Sequence, residues 1–200
     1  MSTTRLAATL AFALCLGAGA QAQTPAEPMP PIAPSTGAAV PTPLQPGDAF
    51  GEEVTLPERT IVYIAGHTTW DTAFDTLVAA FKSLQDYLGK QGLTANGPAL
   101  TVYTETDDTG FGYRAAFPIA ESPKEAPQGN IAVGPAPSGK ALKFVHRGSY
   151  DAMDTTYEAI TNYLDDKRLE AKDLFVEEYA TNPVSTNPDK LVVNVFVPVK

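Results

Sequence analysis

The feature that most constrains the fold is a repeat inside the chain. Laying Leu88 on Leu164 brings Tyr87 onto Tyr163, Leu84 onto Ile160, Phe81 onto Tyr157, Leu77 onto Met153 and Leu93 onto Leu169 without a gap. Helical periodicity alone would reproduce the spacing of apolar residues, but not a shared helix length, a shared exit and the same strands afterwards. Pro118-Ile119 and Pro198-Val199 mark the same strand end in the two copies. The pattern predicts a duplicated α+β domain.

Each copy reads strand, helix, strand, strand. In the first, Ile61, Tyr63 and Ala65 alternate with Thr60, Val62 and Ile64 to give a strand over 59–65, closed by Gly66. Trp70, Phe74, Leu77, Val78, Phe81, Leu84 and Leu88 recur at three and four residues, the stripe of an amphipathic helix that Gly89 and Gly92 end. Strands over 100–105 and 113–119 follow, joined by the turn Asp107-Asp108-Thr109-Gly110. The second copy has a strand over 141–147, a helix over 151–166 and strands over 174–180 and 191–199. Each half would lay one helix on its own antiparallel sheet, leaving the opposite face of that sheet in need of cover or ligand, with a cleft between the halves.

The front of the chain reads differently. Arg5 is followed by the apolar run Leu6–Gly19 and by Ala20-Gln21-Ala22, a small-x-small cleavage site, so residues 1–22 are expected to be a signal peptide. The run is shorter than the roughly 20 apolar residues a membrane span needs, so no stable membrane insertion is expected after cleavage. The protein would then be periplasmic or secreted. Cys15, the one cysteine, falls in the removed segment, which leaves no thiolate and no disulfide. Residues 23–52 carry Pro25, Pro28, Pro30, Pro31, Pro34, Pro41, Pro43 and Pro46 and read as an extended tether, placing the domain at 53–200 with halves at about 53–122 and 139–200. Gly134-Pro135-Ala136-Pro137-Ser138-Gly139-Lys140 reads as the linker between the halves; its prolines exclude a phosphate loop.

A formal net charge of −9 without any basic run gives nucleic acid no footing. It suits a neutral or cationic small organic ligand. There is no Gly-x-Ser-x-Gly elbow and no His-x-x-x-His pair. His67 and His146, one in each half, do not make a metal site on their own.

Several pieces together resemble the GyrI-like domains, also found as effector-binding domains of AraC- and MerR-type regulators. They are His146-Arg147-Gly148-Ser149-Tyr150, Tyr157, Tyr163-Leu164, Glu177-Glu178-Tyr179, Asn182-Pro183 and Val195-Phe196-Val197-Pro198-Val199. Gly97-Pro98 entering Val102-Tyr103, and Phe117-Pro118-Ile119, extend the likeness over roughly residues 57–200. The resemblance implies a ligand cleft holding a strand carboxylate two residues before a tyrosine, which by position is Glu177. Phe175, Glu177 and Tyr179 share one strand face, whereas Val176 and Glu178 take the other, so the two glutamates cannot do the same job. A carboxylate framed by aromatic rings suits a cation; the plainer reading of Glu177 is a solvated strand residue.

The expected ligand-binding set is Glu177, Tyr179, Tyr103, Tyr113, Phe117, Phe196 and Trp70, with Tyr113, Ala115 and Phe117 on one face of their strand. Trp70 begins its helix where the second copy has no matching aromatic, which suggests a lid or wall; ordinary helix–sheet packing is the competing reading. The layout is also similar to the SOUL haem-binding proteins, but no haem-attachment motif is present and no cofactor is expected. The expected function is an exported small-molecule-binding protein. Two alternatives stay open: a hydrolase of strained electrophiles in which Glu177 and Tyr179 activate water, as the resemblance implies for some relatives, and an envelope protein-interaction module.

Overall fold

The computed structural model describes residues 44–200. The expected signal peptide and most of the expected tether lie outside these residues. The strands are β1 (Phe50–Leu56), β2 (Thr60–Thr69), β3 (Ala99–Thr106), β4 (Gly110–Ile119), β5 (Ile131–Pro135), β6 (Gly139–Gly148), β7 (Phe175–Tyr179) and β8 (Leu191–Pro198). The helices are α1 (Ala73–Gln91) and α2 (Met153–Lys167), entered through 3₁₀ turns at Trp70–Thr72 and Tyr150–Ala152.

The strands form one antiparallel sheet in the order β1-β6-β8-β7-β3-β4-β2-β5, rather than the expected sheet per half. The join is β3 against β7, where Thr101 lies opposite Glu177. Both helices cover the same face. The buried stripe of α1, which includes Leu77, Phe81, Leu84 and Leu88, and that of α2, Met153, Ile160 and Leu164, belong to one core with Phe111, Phe144, Val193 and Val195. Each large side chain so buried contributes about 1.5–3 kcal/mol relative to exposure.

Two strands escaped the sequence reading, and together they cover the other face. β1 begins at Phe50, inside the segment read as tether, and Gly134-Pro135, read as linker, ends β5. β1 runs into β2 through 57–59 and β5 into β6 through 136–138, and the two long strands keep one antiparallel register. Leu56 lies opposite Gly139 and Thr60 opposite Pro135, with the Ala136 N–H donating to the Arg59 carbonyl between them at 2.8 Å. This ribbon straps the sheet and encloses a second, smaller core of Leu56, Ile61, Leu100, Val102, Val176 and Phe196. The face expected to need a ligand or other cover is therefore closed by the chain itself. Pro135 is tolerated because β5 is an edge strand.

The ribbon is pinned at its start. Arg147 donates to both carboxylate oxygens of Asp48 at 2.7 Å, a bidentate geometry that holds the Asp48 carboxyl down at about 2. Gly51 has φ 78° at a bulge in the β1–β6 register, and an added Cβ would fall 2.2 Å from the Tyr163 ring.

The helices end alike. Gly92 and Arg168 both adopt the left-handed conformation, and the Leu93 and Leu169 N–H groups bond back to the Leu88 and Leu164 carbonyls at 2.9 Å. At their starts, Trp70 and Tyr150 each open the 3₁₀ turn. The expectation that Trp70 has no aromatic counterpart is therefore corrected: α2 is shorter than α1, so the register that matches the helix exits slips at the entries. β2 also continues past Gly66 to Thr69, paired with β4 as far as Gly110; Gly66 lies over the Tyr113 hydroxyl, where a Cβ would sit at 2.7 Å.

Candidate functional site

Alternation along β3 and β7 directs Thr101, Tyr103, Glu177 and Tyr179 to the helix-bearing face. In the register that lays Leu88 on Leu164, Thr101 falls on Glu177 and Tyr103 on Tyr179. The two central strands therefore present the same positions to each other, one polar group and one tyrosine from each.

Glu177 is 0% exposed. Its Oε1 accepts hydrogen bonds from the Tyr103 hydroxyl at 2.7 Å and the Tyr157 hydroxyl at 2.9 Å, and its Oε2 accepts one from Tyr179 at 2.8 Å. An outer layer follows: the Tyr150 hydroxyl meets Tyr103 at 2.9 Å and the Thr101 hydroxyl meets Tyr179 at 3.3 Å. The ion pairs among the described residues are Arg59–Glu178, Arg147–Asp48 and Lys200–Glu170, so Glu177 has no cationic partner there.

Burial pushes the Glu177 carboxyl above its usual range, and the tyrosine hydrogen bonds pull against that rise. Burial likewise drives Tyr103, Tyr150, Tyr157 and Tyr179 well above the ordinary tyrosine range, with the neighbouring Glu177 charge adding to the rise, so their hydroxyls stay protonated at neutral pH. The neighbouring Glu178 confirms the division of labour on β7. It points to the strap side, where its Oε2 accepts from Arg59 at 3.4 Å and its Oε1 from the Asn194 amide at 3.3 Å.

Aromatic rings wall the carboxylate in. Phe111 lies 4.7 Å from Tyr103, Phe175 5.8 Å from Tyr157 and Phe81 5.3 Å from Tyr179. Phe74 of α1 stacks on Tyr150 at 5.0 Å and 27°, bridging the two helical layers above the site. Phe74, Tyr150, Tyr157 and Phe175 keep partial exposure, which marks the side from which the carboxylate is nearest to solvent.

The expected residues divide accordingly. Tyr103 and Tyr179 bond Glu177 directly. Trp70 stands one ring behind, 4.8 Å from Phe111, with its indole N–H donating to the Asp107 carbonyl at 3.0 Å. Phe117 packs edge-on against Phe81 at 5.8 Å, and Tyr113 borders a separate groove with Asp75, Thr76 and Asn130. Phe196 is corrected outright: it packs in the core under the strap, on the opposite face of the sheet. Tyr157, Tyr150, Thr101 and Phe74 were missed. Tyr157 sits in register with Phe81 and reads as helix core, and nothing local tells that its hydroxyl reaches β7.

His146 is 1% exposed and serves the same turn. Its Nε2 meets the Ser149 carbonyl at 3.0 Å, so the ring donates there and Nδ1 accepts from the Thr156 hydroxyl at 2.7 Å. The neutral ring thus ties the end of β6 to α2 just below Tyr150; burial lowers its pKa. Among the described residues no cluster of three or more His, Cys, Asp or Glu side chains could hold a metal ion, and no helix is long and apolar enough to cross a membrane.

Residues 52–200 match the family described as the GyrI-like small molecule binding domain. The chain belongs to the GyrI-like family. Among curated proteins none matches its sequence. Of solved structures, the EcmrR–DNA complex is similar at a TM-score of 0.65 and 16% identity over 76% of this chain, which spans 57% of EcmrR's length. SAV2435 bound to tetraphenylphosphonium is similar at 0.53 and 18%, with 76% of this chain and 94% of that one covered. A hydrolase from Listeria innocua gives 0.54 and 12%, with 76% and 93% covered. At such identities the likeness establishes the fold; this GyrI-like domain's own ligand has to be argued from its own site.

Proposed function

We propose that this GyrI-like domain binds a small organic cation against Glu177, among the aromatic side chains that α1 and α2 lay over it, and that it does so outside the cytoplasm. The observation that carries the reading is a fully buried carboxylate with three hydroxyl donors and no cationic partner among the described residues. An ionised carboxylate in such a place costs several kcal/mol unless a counter-charge offsets it. Aromatic faces around it add cation–π attraction, worth about 2 kcal/mol or more where water is excluded. SAV2435, whose structure holds tetraphenylphosphonium, supports a cation as the ligand class. Export rests on Arg5, the apolar run Leu6–Gly19 and Ala20-Gln21-Ala22.

Native mass spectrometry of the protein purified from its own host tests both parts. The chain should begin at Gln23 and carry an organic cation that Glu177→Gln loses. A chain that still begins at Met1 rejects export, and a wild-type protein that takes up no cation from a panel of cationic aromatics rejects the ligand assignment.

A further inference from the structure

The hydrogen-bond directions at Glu177 specify the ligand further, if the cation reading of the site holds. A hydroxyl has one proton to give. Tyr103 gives its proton to Glu177, so the Tyr103–Tyr150 bond at 2.9 Å is donated by Tyr150. Tyr179 gives its proton to Glu177 as well, so Thr101 is the donor to Tyr179 at 3.3 Å. Tyr157 also donates to Glu177. Every hydroxyl proton of the cluster therefore points inward.

Oxygen lone pairs are what remains. Tyr103 and Tyr179 already accept, from Tyr150 and Thr101. The hydroxyl oxygens of Tyr150 and Tyr157 accept nothing from the described residues, and these two tyrosines are the partly exposed members of the set. The site thus offers an anion, ring faces and, on its partly exposed side, two unfilled acceptors, and it keeps no donor for a ligand. Burial holds all four tyrosines in their protonated form, so this polarity persists at neutral pH.

We propose that the ligand is a hydrogen-bond-donating cation, a protonated amine or amidinium attached to an aromatic group, whose N–H groups fill the Tyr150 and Tyr157 acceptors. A quaternary cation would satisfy the charge of Glu177 but leave both acceptors buried without donors. Ligands whose polar groups only accept would meet no donor at all.

Calorimetric titration of the wild-type protein with 2-phenylethylammonium and its N,N,N-trimethyl analogue, repeated on naphthyl and indolyl skeletons, tests this. One hydrogen bond with a charged donor should give the N–H cation at least a tenfold lower Kd on the skeleton that binds best. Tyr157→Phe also takes a hydrogen bond from Glu177, and Tyr150→Phe takes one from Tyr103, a change both compounds feel; the ratio between them should still narrow at least threefold, because only the N–H cation loses an acceptor. Glu177→Gln should weaken both compounds. A trimethyl analogue that binds as tightly as its parent overturns the hydrogen-bond assignment and leaves the cation site standing. A ratio that neither tyrosine substitution changes also overturns it. If no cation of either kind binds the wild-type protein, the cation site falls, and this inference with it. The wild-type ratio decides the matter even where a variant does not fold.

Discussion

Thr101 and Glu177 lie opposite each other where β3 meets β7, at positions that the register laying Leu88 on Leu164 also pairs. Two carboxylates this close could not both ionise in a buried site, whereas one carboxylate and one hydroxyl can share the tyrosines around them. Thr101 supports Tyr179 from behind while Tyr179 holds Glu177, so a nearly symmetric frame presents a single charge.

That charge should be measurable as a stability cost. Burial raises the folded pKa of Glu177 above its unfolded value of about 4.3, so the folded state holds the proton more tightly. Its contribution to stability is complete below the unfolded pKa and is lost as pH rises through the folded one. We predict that Glu177→Gln raises Tm at pH 7, and that the gain over wild type shrinks as pH is lowered towards 4. Scanning calorimetry of both proteins across that range checks the sign; a loss of Tm that is the same at every pH contradicts it.

The opposite sign belongs to Asp48. Its hydrogen bonds with Arg147 hold the folded pKa at about 2, so this contribution is present above the unfolded value and is lost as pH falls towards 2. Asp48→Asn should remove the ribbon's anchor at neutral pH and matter less in acid. Amide hydrogen exchange at Phe50–Leu56 reads this directly: faster exchange at pH 7 in the variant is the expected result.

Arg168 offers a gain. A non-glycine residue in the left-handed conformation costs roughly 1–2 kcal/mol, and α1 ends on glycine at the matching place. Arg168→Gly should stabilise the domain by about 1 kcal/mol in urea denaturation. An unchanged or lower midpoint would show that the arginine side chain offsets the backbone strain.

Phe74 stacks on Tyr150 on the partly exposed side of the carboxylate, and we predict that a ligand enters between the two rings. Phe74→Ala should raise the association rate of a cationic aromatic, followed by stopped-flow fluorescence of Trp70, the chain's one tryptophan. Equal rates in the two proteins would mean that entry does not pass between them.

Much of this frame is written in local pattern. The helix stripes and the shared face of Phe175, Glu177 and Tyr179 follow from periods of 3.6 and 2, and the turn at Asp107–Gly110 from its residue chemistry. β1 and β5 do not: β1 follows the proline-rich stretch ending at Pro46, β5 ends in Gly134-Pro135, and only pairing between distant segments turns them into a strap. The site was half legible for the same reason. Tyr103 and Tyr179 stand on strands whose alternation can be read, but Tyr157 comes from a helix and Tyr150 from a 3₁₀ turn. Both are brought to Glu177 by the tertiary arrangement. Phe196 went astray because alternation says that a residue has a face, not which face holds the site.

Glu177 is proposed above as the counter-charge for a bound organic cation. Trp70 lies one ring away from Tyr103, so its fluorescence can follow the site. Titrating aromatic ammonium ions into the wild-type protein and Glu177→Gln should give a saturable change in the first and at least a tenfold weaker one in the second. Saturation at the same concentration in both proteins would show that the cation binds elsewhere and that Glu177 is not its counter-charge.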